Sequence, residues 1–294
     1  MGLSVDLGHS DGKEISEVEL RMLISSKQVT IGILAIIILI WTLFPMYMLT
    51  LSTLKTRLEV TIPSLTVKEP TLFWWQTVLF DRENLASYRN SFIASGGAAL
   101  LGLALGLPAA YACSRFKFKG RNDLLFMILS FRFLPPACMV IPMFMLGKTV
   151  GLLDSPILTI SLYASANIPI IVWVMMSYIN EIPQELEESY MIDGHTRLQA
   201  FFKVTLPLVK TGLIAVTLLC IALTFGEFLF AALLTSSATA KTLPVSISEY
   251  MGGELGWEWG IIATLTMYGL IPLMVIFVLI RKHLVRGLTF GVVR

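Results

Sequence analysis

The sequence predicts an all-α, polytopic membrane protein with six transmembrane helices. Both termini face the cytoplasm, and a short cytoplasmic helix lies between the fourth and fifth spans. Three observations carry that prediction. Hydrophobic residues make up 55% of the 294-residue chain and charged residues only 14%, where soluble domains run nearer a quarter charged. The mean hydropathy is +0.77. Six separate apolar runs are each long enough to cross a hydrocarbon core of about 30 Å, which takes roughly 20 helical residues. Backbone groups in lipid must be satisfied within their own segment, so helices are the expected form.

The runs are Val29–Leu51, Ser91–Ser114, Leu124–Gly147, Ser155–Asn180, Thr211–Thr235 and Gly260–Ile280. Within them the only charges are Arg132 in the third and Glu227 in the fifth. The first run is too long for the apolar part of a signal peptide and has no small-residue cleavage site behind it, so it reads as a retained anchor. The second carries a stripe of small residues, Ala98, Gly102, Gly106 and Ala110, a spacing that lets another helix approach closely. The expected organisation is a cytoplasmic segment 1–28, a membrane domain 29–281 and a cytoplasmic tail 282–294.

Lys and Arg set the orientation. With the N-terminus inside, 14 of the 22 fall in cytoplasmic segments and seven in external loops. Five of those seven sit in one external loop of about forty residues, so the bias rests on the short loops. That long loop contains Phe73-Trp74-Trp75, for which two readings stand: an aromatic belt at the membrane surface, or a short interfacial helix. Residues 236–259 form the other large external loop. Its Met251-Gly252-Gly253-Glu254 and Trp257-Glu258-Trp259 suggest a tight turn near the membrane.

The segment Glu181–Pro207 is the most informative. Pro183 suits a first helical turn. Glu181, Glu185, Glu187 and Glu188 place four carboxylates in eight residues, and acids near a helix N-terminus are favoured by the macrodipole. Ile182, Leu186, Tyr190 and Met191 recur at helical spacing. Asp193-Gly194 ends this helix, Gly194 being a natural left-handed cap, and Thr196 with Gln199 reads as the capping box of a second. A helix lying on anionic lipid would carry Lys or Arg on its polar face. This one carries acids, which favours docking into a groove on a soluble partner.

Arg132, Asn167 and Glu227 are polar groups at membrane depth, by default candidates for a transport pathway. Each has a structural alternative. Glu227 can hold helices in register, Arg132 can pair with Glu227 or cap carbonyls freed by Pro135-Pro136, and Asn167 can repair the helix near Pro169. Cys113, Cys138 and Cys220 are widely spaced within apolar runs and show neither a disulfide framework nor a metal pattern. Gly147-Lys148-Thr149 lacks the first glycine of a phosphate-binding loop, with Pro142 in its place, and lacks the strand-turn-helix context. No nucleophile–base constellation is visible, so the chain is not expected to be an enzyme. A membrane scaffold without transport activity would not need Glu227, Arg132 and Asn167 at membrane depth together with a docking loop.

Glu188-Ser189-Tyr190-Met191-Ile192-Asp193-Gly194, followed by Leu206-Pro207, resembles the EAA loop of ABC importer permeases. Ile182-Pro183-Gln184-Glu185-Leu186-Glu187 is similar to the carbohydrate-uptake branch. So are Asn90-Ser91, Ala109-Ala110-Tyr111-Ala112, Ser114-Arg115, Gly151-Leu152-Leu153-Asp154-Ser155 and Gly226-Glu227-Phe228-Leu229-Phe230. The similarity covers roughly residues 85–290 and is greatest to the second permease subunit of maltose-type systems. Two positions depart from the pattern: Ser189-Tyr190 stands where the family has a small pair, and His195 where it often has a small residue. The resemblance implies a permease subunit of a binding-protein-dependent sugar or polyol importer. Glu185, Glu188, Ser189, Tyr190, Asp193, Gly194 and His195 would contact the ATPase. It implies no cofactor on this chain, with ATP and Mg on the partner, and no nucleic acid. The implied partners are an ATP-binding cassette ATPase dimer, a second and different permease, a periplasmic or lipid-anchored sugar-binding protein, and the lipid of a bacterial or archaeal inner membrane. Arg132 with the prolines after it is similar to members that carry polyols or monosaccharides, while a disaccharide or an anionic sugar derivative stays open. The competing class is an ion-gradient-driven secondary transporter, which would show inverted repeats and several buried acids.

Overall fold

The computed structural model describes residues 17–252 and 258–289. The expectations for 1–16, for Gly253, Glu254 and Trp257 in the second external loop, and for 290–294 lie outside the described residues. Every described element is helical. Four helices are long and apolar enough to cross a membrane, or up to six if each of two bent pairs counts as one span. Residues up to Leu51 form one compact unit and Ser52 onwards a second.

In the first unit, α1 (Glu17–Leu54) runs through Pro45 without a break. The second unit opens on a loop leading to α2 (Phe73–Phe80). The aromatic run is therefore a short helix, and its middle residue faces inward. Trp74 is 3% exposed, donates its indole N–H to the Lys55 carbonyl at 2.7 Å, and lies where a Cβ on Gly260 would have to be.

The second run is longer than its apolar stretch. α3 spans Arg82–Arg115, so Arg82 and Arg89, expected in the external loop, are helical. The start is set by Asp81, whose carboxylate accepts from the Asn84 N–H at 2.8 Å, as an N-cap does. α3 packs along α6 (Pro156–Asn180). All four residues of the small-residue stripe are buried, and a Cβ on Gly102 or Gly106 would lie 2.9 Å from the Ile171 side chain. α6 begins one residue after its Ser155 cap, which accepts from the Ile157 N–H.

The third run is not one rod. α4 (Arg121–Ser130) passes into a 3-10 turn, Phe131–Phe133, and α5 (Pro136–Thr149) leaves at 91°. Leu134 and Pro135 are extended: a residue before proline is pushed out of the helical region, and two successive prolines remove two donors from the ladder. The fifth run also divides. α10 (Lys210–Phe225) ends at Gly226, and α11 (Leu229–Leu234) follows after a break containing Glu227. Beyond it lie α12 (Leu243–Glu249) and α13 (Trp259–Thr289). Buried apolar side chains form three clusters: between α3, α5, α6 and α11, between α3, α6 and α10, and between α2, α12 and α13.

Candidate functional site: the 181–207 loop

Between α6 and α10 the chain forms α7 (Gln184–Ile192) and α8 (Arg197–Ala200). Pro183 is the extended residue ahead of α7 rather than a member of its first turn. Gly194 terminates the turn at φ +90°, in the left-handed region that glycine enters at no steric cost, and its N–H reaches the Met191 carbonyl at 3.0 Å. The capping box forms in full: Gln199 N–H donates to Thr196 Oγ1, and Thr196 N–H donates to Gln199 Oε1 at 2.8 Å. α8 then widens into a π turn, Phe201–Thr205, followed by α9 (Leu206–Leu208). Pro207 has no N–H for the regular ladder, and the Leu206 N–H bonds back to the Phe201 carbonyl instead.

A buried carboxylate fixes the loop to the membrane helices. Glu187 is 2% exposed. Its carboxylate accepts from the Tyr111 hydroxyl at 2.7 Å, from Arg115 Nε at 2.8 Å and from the Thr205 hydroxyl at 2.7 Å. Arg115, as buried as its partner, donates a further bond to the Ile182 carbonyl at 3.0 Å. α7 is thereby bound to the last turn of α3 and to the π turn. Burial alone would raise the Glu187 pKa, but the bonds from Thr205, Tyr111 and Arg115 outweigh it and hold the carboxyl below its usual range. A buried charge requires such pairing. Arg197 adds a second tie to the end of α3, its guanidinium lying 5.1 Å from the centre of the Phe116 ring.

The sequence places Glu187 among the four carboxylates of the docking helix, and it is not among the candidate contact residues. The signal lay in its position three and four residues before Tyr190 and Met191, on the edge of the apolar face. Leu186, assigned to that face, is 48% exposed instead.

The other acids point away. Glu185, Glu188, Ser189, Asp193, Gly194 and His195 are exposed, and Tyr190 is half-buried. Ile192 and Leu198 are 85% and 68% exposed. The Tyr190 and His195 rings lie 4.1 Å apart across the Asp193-Gly194 turn. The outer face therefore mixes carboxylates, a ring pair and bare aliphatic groups on a short helix anchored from beneath.

The three residues at membrane depth are not brought together as a set. Arg132 is exposed on the 3-10 turn ahead of the Pro135-Pro136 bend. Glu227 sits in the break between α10 and α11 rather than in mid-helix. Its carboxylate accepts the Phe230 N–H at 3.0 and 3.1 Å, and its carbonyl accepts the Tyr163 hydroxyl at 3.1 Å. Among the described residues no ion pair joins Glu227 to Arg132. Asn167 is buried in α6, and its side-chain N–H2 has no hydrogen-bond partner among the described residues.

Residues 102–290 match the family model of the binding-protein-dependent transport system inner membrane component. The chain is 31% identical over 261 residues to the sulfoquinovosyl glycerol transport system permease protein of Agrobacterium fabrum, covering 88% of this chain and 91% of that one. It is also 31% identical over 209 residues to the trehalose/maltose transport system permease protein of Thermococcus litoralis, covering 71% and 75%. The fold is similar to a chain in the crystal structure of a bacterial ABC transporter involved in the import of the acidic polysaccharide alginate, with a TM-score of 0.74 at 22% identity over 92% of this chain and 99% of that one. This chain, a multi-pass membrane protein, belongs to the family of binding-protein-dependent transport system inner membrane components.

Proposed function

We propose that the chain is the permease subunit of an ATP-driven, binding-protein-dependent importer of a sugar or polyol, with residues 181–207 as its coupling loop. The observation that carries this reading is the anchored helix α7. Glu187 ties it to α3 from beneath, while Glu185, Glu188 and the exposed Ile192 and Leu198 face outward. A surface of that kind suits insertion into a groove. The buried tie converts displacement of the loop into displacement of membrane helices, a rigid-body switch. ATP binding can drive it only by favouring one of the two states.

In this reading the third and fifth runs are interrupted spans, broken before α5 and between α10 and α11, the chain crosses a bacterial or archaeal inner membrane six times, and both termini lie inside. A dimer of ATP-binding subunits receives α7, Ser189, Tyr190, Asp193, Gly194 and His195, and carries ATP and Mg. A second, different permease and a sugar-binding protein complete the assembly. Arg132, Asn167 and Glu227 line the pathway. Backbone that departs from a helix at membrane depth is tolerated where it lines a cavity, and two of the three sit at such departures.

The test is reconstitution of this chain with an ATPase and a second permease in liposomes, with Glu188→Ala and Gly194→Pro in the loop. Complex assembly and ATP hydrolysis are expected to collapse together in both variants. Hydrolysis and assembly indifferent to the loop would overturn the reading in favour of an ion-gradient transporter.

A further inference from the structure

The end of α3 opposite the Glu187 cluster is held as tightly. Asn90, buried in the third turn of α3, donates its side-chain N–H2 to the carbonyls of Ala238 at 3.1 Å and Lys241 at 3.0 Å. Ser91 Oγ accepts the N–H of Leu243, the first residue of α12, at 2.8 Å. Asn84 Oδ1 accepts from the Ser246 hydroxyl at 3.2 Å. Lys241 is buried between Glu249 of α12 at 2.6 Å and Glu83 of α3 at 3.4 Å. Asn90-Ser91 belongs to the stretches similar to the carbohydrate-uptake branch, but no contact was expected of it, and none of these residues lies in the 181–207 loop.

α3 therefore carries a buried polar lock at each end, separated by roughly 30–38 Å of helix at about 1.5 Å per residue. At one end Tyr111 and Arg115 hold α7, and at the other Asn90 and Ser91 hold the 236–250 segment. Between the locks Gly97, Gly102 and Gly106 let α6 lie directly against α3, and α3 continues unbroken through Pro108. Packed interfaces of this kind move as bodies rather than deforming continuously.

We propose that α3 is the strut that carries movement of the coupling helix across the membrane to the external 236–250 segment, with Asn90 and Ser91 as the positioning residues that fasten it there. The proposal rests on the importer reading above. Mutating the far lock leaves the coupling surface intact, so hydrolysis of ATP and its mechanical transmission become separable.

The experiment uses the assembled complex in nanodiscs, with Cys138→Ser and Met251→Cys carrying an environment-sensitive fluorophore just past α12. The probe is Mg-ATP with orthovanadate. In the parent complex the label's emission is expected to change on trapping. With Asn90→Leu the change is expected to fall at least fivefold while steady-state ATP hydrolysis stays within twofold, and Ser91→Ala, a gentler change, is expected to give an intermediate loss at normal hydrolysis. A full emission change in both variants would overturn the proposal. So would a loss of hydrolysis and signal in parallel, which would mark Asn90 as merely structural, and so would a parent complex that hydrolyses ATP with a silent label. A complex in which the chain recruits no ATPase activity would instead sink the importer reading, and this proposal with it.

Discussion

Truncating Glu187 to alanine isolates the tie between the 181–207 loop and the membrane helices. The variant removes the acceptor of three short bonds and leaves Arg115 buried without its carboxylate. Breaking a buried pair by deleting one partner costs about 3–5 kcal/mol, because the remaining charge is uncompensated. At about 1.4 kcal/mol per factor of ten, the docked state of α7 should lose roughly two to four orders of magnitude in stability relative to the undocked state. Amide hydrogen exchange over residues 184–192 of the detergent-solubilised chain reads that number directly, and protection should fall by that factor while protection in the middle of α6 persists. Arg115→Met supplies the control. Alone it strands the carboxylate and should be similarly damaging, but combined with Glu187→Ala it removes both charges, and the double variant should be less damaging than the sum of the singles by more than 1 kcal/mol. Unchanged protection in Glu187→Ala, or strict additivity in the cycle, would refute the claim that this ion pair holds the loop.

Two other consequences are simpler to measure. Despite burial, bonds from Thr205, Tyr111 and Arg115 hold the folded pKa of Glu187 below the ordinary glutamate value of 4.5, so its contribution is fully present above about pH 4.5 and is lost as pH falls through the folded value. α7 protection should therefore weaken on acidification below pH 4.5 in the parent and show a flatter dependence in Glu187→Gln, compared by exchange at matched intrinsic rates. On the α3–α6 contact, Gly106→Val places atoms against Ile171, where even a Cβ would lie 2.9 Å away. It should cost about 1–3 kcal/mol, read as a lower unfolding temperature in detergent, and pairing it with Ile171→Ala should recover part of the loss.

Helix content and the apolar runs were legible because both depend on composition over some twenty residues, where single positions average out. The two short helices of the 181–207 loop were legible for a different reason. Gly194 and the Thr196–Gln199 pair act through local geometry, and the φ of +90° and the reciprocal bonds follow from neighbours in the chain. What escaped was set by distant partners. Glu187 is buried because Tyr111 and Arg115, 76 and 72 residues away, meet it there. Without them the same glutamate at the same helical position would be a surface acid. The contacts of Asn90, though not the residue itself, escaped on the same ground, its carbonyl partners lying about 150 residues further on.

The broken third and fifth runs escaped for yet another reason. Hydropathy measures whether a segment tolerates lipid and not whether its ladder is continuous. Pro135-Pro136 was seen as a source of freed carbonyls, but two adjacent residues without N–H groups do more than free carbonyls, because they force the preceding Leu134 into the extended region and turn the axis by 91°. Such a turn strands backbone polar groups that lipid cannot satisfy. The bend therefore calls for protein or water beside it rather than lipid, and Arg132, three residues before Pro135, is exposed on that turn.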